Sequence, residues 1–415
     1  MGRSFVYFWL SSFLFNTKSN FLIFKMTNYK DLFLLNPDIT FLNFGSFGAC
    51  PKPIFEKYQE WQLKLEREPV QFIVYEAINE LENVRKQLGQ FLGCSHQDLV
   101  MVMNPSYAIN TIVKSFPLNQ GDEILSTNLE YGACDRTWDY YCEKVGAKYV
   151  RQEISLPIRS KELFIEEFWR GVTNKTKAIF ISHITSATGI ILPVKEICEQ
   201  AKNRGLITIV DGAHVPGHIE LNLSELEADI YTGACHKWLM GPKGSSFLYV
   251  NKDNQHWVDP LLISWGFRSD FPSDSTFIDY HQTAGTRDYA AFLTVTECLK
   301  FREQYHWAEV SQECKKLALE NGLRFCELVG SEPLAPLNNS FYGQLFSIPI
   351  KVDNPVEFQK RLFHEYKIEI PVAVQNGNSY LRYSVQAFNA QNELDYLFDT
   401  LEELKQKGYL LSSGK

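Results

Sequence analysis

Short apolar runs alternate with amphipathic stretches through the middle of the chain, and this alternation predicts strands separated by helices. Such an order is typical of a mostly parallel sheet that helices cover on both faces. The pattern therefore predicts an α/β fold around a seven-stranded sheet. The predicted strands cover residues 99–103, 123–126, 148–153, 178–182, 208–210, 230–233 and 246–250, and the helices between them include 108–115, 133–145 and 194–204.

The two ends of the chain follow other patterns. Two amphipathic helical stretches precede the predicted sheet, at residues 54–65 and 74–92. Beyond residue 289 the periodicity predicts several long helices and few strands, which is typical of a smaller α+β domain. We therefore expect an N-terminal helical segment at 26–92 that packs on both domains, a large domain at 93–289 and a small C-terminal domain at 290–415.

An apolar run at residues 5–15, preceded by Arg3, sets the beginning of the chain apart. The run is shorter than the ~20 apolar residues that span a bilayer, and no small-residue cleavage site follows it. Met26 then begins MTNYKDLF, a typical chain start. We expect residues 1–25 to be a disordered tail or an upstream translation start, with a targeting segment or a membrane-associated stretch as the alternatives.

Composition narrows the class of protein. A chain of 415 residues exceeds the length that one core usually serves, so we expect two domains. The net charge of −8 argues against nucleic acid or an anionic membrane as a partner. The nine cysteines show no CxxC spacing, which argues against a disulfide scaffold and a zinc site and favours reduced thiols. We therefore expect a cytoplasmic protein that carries no metal.

An acid and a lysine stand at the ends of two neighbouring predicted strands. Asp211 follows the apolar run 207–210, and Lys237 follows the run 228–233. A helical turn near 223–226 separates the runs, so the second strand returns parallel to the first. Both strand ends then lie at one edge of the sheet, where open α/β sheets bind ligands. A lysine that forms a Schiff base and an acid that keeps a pyridine nitrogen protonated are the equipment of pyridoxal 5'-phosphate (PLP) chemistry.

Several motifs in this segment and beyond it carry a family resemblance. VDGAH, CHKW and GPKGSSFLYV follow one another, with FLNFGSFGACPKP near the start, AGTRD in the middle and YLRYSVQAFN near the end. In this order they resemble the class V aminotransferase family of fold-type I PLP enzymes, within its isopenicillin N epimerase-like branch. The resemblance covers about residues 41–404. It implies the fold-type I architecture, PLP as the cofactor and a small amino-acid substrate.

The resemblance assigns roles to five residues around the PLP ring. Lys237 would form the Schiff base, and burial should lower the pKa of its amine so that it can also move protons at the α-carbon. Asp211 would pair with the pyridine nitrogen. His214 and Ser186 would lie near the phenolic oxygen, and Tyr131 matches the aromatic position that stacks on the ring.

The cofactor phosphate would be held by other positions. Ser106 and Tyr107 open a predicted helix, whose N-terminus offers free N–H groups and a favourable dipole. His236, beside the lysine, matches a further phosphate contact. Gly285 and Thr286 resemble the loop that reaches the phosphate in the partner subunit, which implies a homodimer with composite active sites.

The resemblance places the substrate carboxylate on Arg382, since a planar bidentate donor fixes its orientation, with Asn43 assisting. If Arg382 is not the carboxylate ligand, Arg287 or Arg268 is the next candidate.

Two positions fall outside this scheme. Ala234 stands where the family usually has a small polar residue, so one phosphate contact is absent or comes from elsewhere. His183, in the same run as Ser186, receives no role.

The remaining alternatives concern the reaction. Cysteine desulfurases need a cysteine on a mobile loop shortly before the carboxylate-binding arginine, whereas the last cysteine here, Cys326, lies far before Arg382 in a predicted helix. P-loop and dinucleotide-binding spacings are both lacking. We expect a PLP enzyme acting at the α-carbon of an amino acid, as an epimerase, a C–S β-lyase or an aminotransferase. The alternative is a catalytically inactive PLP-fold binding or scaffold protein.

Overall fold

The computed structural model describes residues 29–411, which form an α/β fold. Residues 1–25 lie outside the described residues, and the expectation for them stays a prediction. The strands, in chain order, are β1 (Thr40–Phe41), β2 (Leu99–Val102), β3 (Glu123–Thr127), β4 (Lys148–Gln152), β5 (Thr176–Ser182), β6 (Ile207–Asp211), β7 (Ile230–Ala234), β8 (Ser246–Val250), β9 (Leu345–Ile350), β10 (Ile368–Glu369), β11 (Val372–Gln375) and β12 (Asn378–Ser384).

Helices precede, separate and follow these strands along the chain. The longer ones are Lys52–Arg67, Ala77–Leu92, Pro105–Ser115, Gly132–Val145, Lys161–Trp169, Val194–Asn203, Val295–Gln304, Trp307–Val329, Pro355–Tyr366 and Gln391–Gln406. Shorter α-helices are Phe44–Phe47, Pro69–Gln71, Leu223–Leu226, Thr276–Gln282 and Ala290–Leu293, with a π-helical turn at Phe72–Glu76 and 3-10 turns at Tyr29–Leu32, His96–Asp98 and Lys252–Trp257. Within residues 29–411, no helix combines the length and the apolar character that crossing a membrane requires.

The large sheet has seven strands in the order β2-β8-β7-β6-β5-β3-β4. Every pair from β7 to β4 is parallel, while β8 is antiparallel to both of its neighbours. Therefore β8 alone runs against the others in this sheet, and the prediction of a mostly parallel seven-stranded sheet is confirmed.

Both faces of the sheet are buried, because its strands are apolar at successive positions. In β5, Ile179 and Ile181 pack into one cluster of the core, while Ala178 and Phe180 pack into the cluster on the other face. Alternating side chains point to opposite faces of a strand, so a run of apolar residues needs cover on both sides. Helices supply that cover on each face.

A second, antiparallel sheet of order β11-β12-β9 lies in the C-terminal part, and the short β1 pairs with β10. The N-terminal segment lies close to the end of β12 in the small sheet and to the turn after β7 in the large sheet. The backbone N–H of Gly45 donates to Ser384 Oγ at the end of β12, at 3.1 Å. Gly48 has φ +65°, and a Cβ there would stand 2.2 Å from the carbonyl oxygen of His236, so the chain can approach this closely only at a glycine.

Candidate active site

Lys237 lies in the turn after β7, at the carboxyl edge of the large sheet. Its Nζ stands 3.1 Å from His214 Nε2. Burial, with the Arg382 cation nearby, lowers the pKa of the amine from 10.5 to about 8. That shift raises the share of neutral amine at pH 7 by on the order of a hundredfold. Lys237 is thus prepared to act as a nucleophile or a base.

Asp211 is the last residue of β6 and is buried. Its Oδ1 accepts from the backbone N–H of Ala213 at 2.9 Å, and its Oδ2 lies 3.6 Å from Cys134 Sγ. Burial raises the pKa of the carboxyl, and the Ala213 hydrogen bond opposes this shift. These few contacts leave carboxylate lone pairs available for a cationic N–H.

His214 is held from two sides. Trp238 Nε1 donates to its Nδ1 at 3.4 Å, and its Nε2 faces Lys237 Nζ at 3.1 Å. Burial, followed by the charge of Lys237, lowers the pKa of the imidazole well below its usual value. The ring is therefore neutral at physiological pH.

The helix Pro105–Ser115 points its N-terminus at the same space. Asn104 caps it, since its side-chain oxygen accepts from the backbone N–H of Tyr107 at 2.8 Å, and Ser106 contributes to the cavity wall. His236 contributes on the other side, and its Nδ1 donates to the Ser245 carbonyl oxygen at 3.1 Å. Burial lowers the pKa of His236 to about 4; a phosphate beside the ring would oppose that shift.

Arg382 reaches the cavity from β12 and is buried. Its Nη1 donates to the Ser186 carbonyl oxygen and its Nη2 donates to Ser46 Oγ at 2.8 Å, whereas its buried Nε has no hydrogen-bond partner. Burial lowers the pKa of the guanidinium to about 10. A buried cation with an unused donor has the properties of a carboxylate-binding group.

These side chains line one cavity of about 250 Å³. It brings together eight residues that the sequence singles out: Ser106, Tyr131, Ser186, Asp211, His214, His236, Lys237 and Arg382. Tyr131 is partly exposed at its rim, with 47% of its surface accessible.

Four other residues singled out from the sequence are not among those lining the cavity. Tyr107 packs against the core on one face of the sheet, and the side-chain oxygen of Asn43 is buried without a hydrogen-bond partner. Thr286 is exposed, in the loop between Gln282 and Ala290 that also holds Gly285. Roles for Gly285 and Thr286 in a partner subunit's site stay a prediction.

The structure adds residues that the motifs did not single out. Ser46 Oγ accepts a hydrogen bond from Arg382, and Cys134 contacts Asp211, although neither contact was expected. The signal that could have found Ser46 is its place within FGSFG, one turn of helix beyond Asn43.

Glu130 lies buried behind the cavity and accepts from the Ser182 backbone N–H at 2.8 Å. Burial raises the pKa of its carboxyl to about 8.

His183, which had no role from the sequence, bonds the Tyr231 hydroxyl through Nδ1 at 3.0 Å beneath the cavity. Burial lowers its pKa to about 4, so the ring is neutral. Its position indicates a structural role.

The aminotransferase class-V family profile matches residues 51–397, most of the chain. The chain belongs to the class V aminotransferase family. Its cofactor is therefore PLP, and its fold is that of the fold-type I PLP enzymes.

Similar proteins include enzymes of different reaction types. An isopenicillin N epimerase of Amycolatopsis lactamdurans is 29% identical, over 91% of this chain and 98% of that protein. A probable chloroplastic L-cysteine desulfhydrase of Arabidopsis thaliana is 23% identical, over 91% of this chain and 85% of that protein. A solved structure of the cystine C–S lyase C-DES, with glycine covalently linked to its PLP, superposes with a TM-score of 0.76 at 20% identity and covers 88% of this chain and 97% of that one.

The residues of the cavity fit PLP on three observations. Asp211 has acceptor capacity left, Lys237 has an amine with a lowered pKa, and a capped helix N-terminus faces the same space. These groups match a pyridinium N–H, an aldehyde carbon and a phosphate in turn.

Proposed function

We propose that this protein is a PLP enzyme that moves a proton at the α-carbon of an amino acid, with Lys237 as the base. The observation that carries the proposal is the shared cavity: Lys237 lies in it together with Arg382, whose buried Nε has no partner. A substrate α-carboxylate would supply that partner and neutralise the buried cation. Binding there holds the α-carbon within the same small space as the lysine.

Bound PLP supplies an electron-withdrawing ring that weakens the Cα–H bond of an attached amino acid. Asp211 would hold the ring nitrogen in its protonated form, because an adjacent anion favours the cationic state. His214 would donate to the phenolic oxygen, and Ser106 and His236 would contact the phosphate. Arg382 would fix rotation about the Cα bonds, which determines the bond that lies along the π-system.

Loss of the Cα proton is the first step of epimerisation, of C–S β-elimination and of transamination alike. Related proteins named as an epimerase and as a cysteine desulfhydrase make the first two the outcomes to test first. A desulfurase outcome needs a reactive thiol at the substrate. Cys134 is the single thiol among the described residues that line the cavity, and burial raises its pKa well above the usual value.

We further propose a cytoplasmic homodimer in which Thr286 of one subunit contacts the cofactor phosphate of the other. The homodimer rests on the exposure of Thr286 and on its motif, AGTRD. The cytoplasmic location rests on the nine cysteines, all of which are free thiols. The alternative, an inactive scaffold protein, would keep the fold but would not transfer the α-proton. One experiment therefore distinguishes the enzyme from the scaffold.

The test is exchange of the Cα proton for deuterium. Purified holoenzyme is incubated in D₂O with a panel of L-amino acids and cysteine conjugates, and NMR follows the α-proton while chromatography scores D-isomer, pyruvate or other keto acids. We expect exchange with at least one substrate that carries a free α-carboxylate, and the product assigns the outcome. A holoenzyme with intact cofactor absorbance that exchanges no substrate would favour the scaffold.

A further inference from the structure

We propose that Trp238 is a positioning residue, whose indole N–H fixes neutral His214 with its proton on Nε2. In the cofactor-free protein this makes His214 a hydrogen-bond donor toward Lys237, and the same Nε2–H would serve the phenolic oxygen once PLP is bound. The proposal rests on the proposed function, because it concerns how the reactive lysine is held. Its evidence is a set of distances between nitrogen atoms of the protein, and its main readout is the protonation of a protein side chain.

The first step is the tautomer of His214. An indole N–H is a donor only, and Trp238 Nε1 stands 3.4 Å from His214 Nδ1. Nδ1 must therefore accept and carries no proton. A neutral imidazole then has its proton on Nε2.

The second step concerns the lysine. His214 Nε2 lies 3.1 Å from Lys237 Nζ, so its N–H needs an acceptor there. A neutral amine can accept this hydrogen bond, whereas an ammonium group has no lone pair. The tautomer selected by Trp238 therefore favours the neutral form of Lys237.

Trp238 itself is firmly placed. Its buried ring stacks on His218, with centroids 3.9 Å apart and planes at 15°. His218 Nδ1 donates to the His214 carbonyl oxygen at 2.9 Å, and its Nε2 accepts from the Gln344 backbone N–H at 2.7 Å. Contacts therefore link Lys237, His214, Trp238 and His218 to one another and to the backbone just before β9, and they restrict the orientation of the indole N–H.

Other charged groups also act on the lysine. Around Lys237 and His214 these are Asp211, Cys134, Arg382, His218 and His236. None of them hydrogen-bonds to the indole N–H. His218 stacks on the Trp238 ring, so Trp238→Phe alters that contact as well, and the tautomer of His214 is the readout that reports loss of the N–H itself.

A second tryptophan provides the control. Trp307 is buried like Trp238, but its Nε1 has no hydrogen-bond partner. It lies in the helix Trp307–Val329, away from the cavity lining. Trp238→Phe and Trp307→Phe therefore remove the same atoms from a buried ring, with the His214 hydrogen bond lost only in the first.

The experiment uses the full-length, cofactor-free protein with ¹⁵N-labelled histidine. Two-bond ¹H–¹⁵N correlation spectra, assigned with a His214→Gln variant, report which ring nitrogen carries the proton. Competitive acetylation of Lys237 as a function of pH, read by mass spectrometry, gives the pKa of its amine. Unfolding curves confirm that each variant is folded.

We expect His214 in the wild type to show an unprotonated Nδ1, and Trp238→Phe to show a mixture of tautomers. The labelling midpoint of Lys237 should rise by about one pH unit in Trp238→Phe, the size expected for one hydrogen bond of ordinary strength, and stay unchanged in Trp307→Phe. A protonated Nδ1 in the wild type would overturn the proposal, even if the variant does not fold. So would an unshifted midpoint in folded Trp238→Phe. Neither result depends on turnover, so failure here leaves the proposed function standing.

Discussion

The edge of the seven-stranded sheet and the strand β12 contribute to the same cavity with side chains in different hydrogen-bonding states. At the sheet edge, Asp211, His214 and His236 each have a partner within the protein. On β12, Arg382 keeps a buried donor without one. We infer that the sheet edge is preorganised for a group that stays bound, while β12 awaits a ligand that exchanges.

This difference gives the two regions separable phenotypes. A change at the sheet edge should alter how the cofactor is held, and a change on β12 should alter turnover while the cofactor stays. The variants below test that separation.

Lys237→Ala should have the largest effect, with loss of covalent cofactor attachment and of all turnover, because the amine that faces Asp211's strand end is gone. Absorbance of the purified protein and borohydride trapping measure the attachment. Lys243→Ala is the matched control: the pKa of Lys243 is also lowered, but its Nζ donates to the Gly48 carbonyl oxygen at 3.2 Å. Trapped cofactor in Lys237→Ala, and none in Lys243→Ala, would reverse the assignment.

Arg382→Ala should lower kcat/KM for substrates with an α-carboxylate by roughly 30- to 4,000-fold, since removing one partner of a desolvated charge pair costs roughly 2–5 kcal/mol. Cofactor absorbance should not change. Arg382→Lys should recover only part, because an ammonium group cannot form the bidentate fork. Steady-state kinetics beside an Arg287→Ala control measures the effect. Normal kinetics in Arg382→Ala, with a loss in Arg287→Ala, would move the carboxylate site to Arg287.

The parts of this picture that follow from sequence are those set by periodicity and strand ends. Continuous apolar runs predict a sheet buried on both faces, which is confirmed, and parallel strands bring Asp211 and Lys237 to one edge. The helix Lys161–Trp169 was missed, because only Phe164 and Phe168 are buried and its apolar stripe is short. Domain limits stay a prediction.

The cavity was harder to predict where chain segments meet that are distant in sequence. Ser46 contacts Arg382 across 336 residues, and no local pattern specifies such a contact. Likewise, the Trp238 indole N–H finds its acceptor in the ring of His214, which lies in the turn after β6. Long-range pairing of single polar atoms is determined by packing, and packing has no short sequence signature.

The state of the lysine at the sheet edge can also be read from stability. Burial lowers its pKa from 10.5 to about 8, so between these pH values the unfolded chain binds a proton that the folded chain does not. The free energy of unfolding of the cofactor-free wild type should therefore rise with pH from about 8 to 10.5, relative to Lys237→Met. Below pH 8 the cost of the buried charge is fully present. Urea unfolding should show the advantage of Lys237→Met falling by on the order of 3 kcal/mol between pH 7 and 10.5. A constant difference across this range would mean that the amine is well solvated.

Thr286→Ala should have the smallest effect and tests whether the sheet edge of one subunit is completed by another. Thr286 is exposed in the single chain, so its hydroxyl is available to a second copy. A hydrogen bond to a charged acceptor is worth roughly 1.5–3 kcal/mol, so the variant should bind PLP about tenfold or more weakly. Equilibrium dialysis measures the affinity, with Ser340→Ala, an exposed hydroxyl in another loop, as the control. Because the contact would cross between subunits, sedimentation of the variant should show a dimer. Its kcat, measured with saturating PLP, should be nearly normal. A monomer that retains stoichiometric PLP would show instead that one chain holds its cofactor alone, and Thr286 would then have no part in the site.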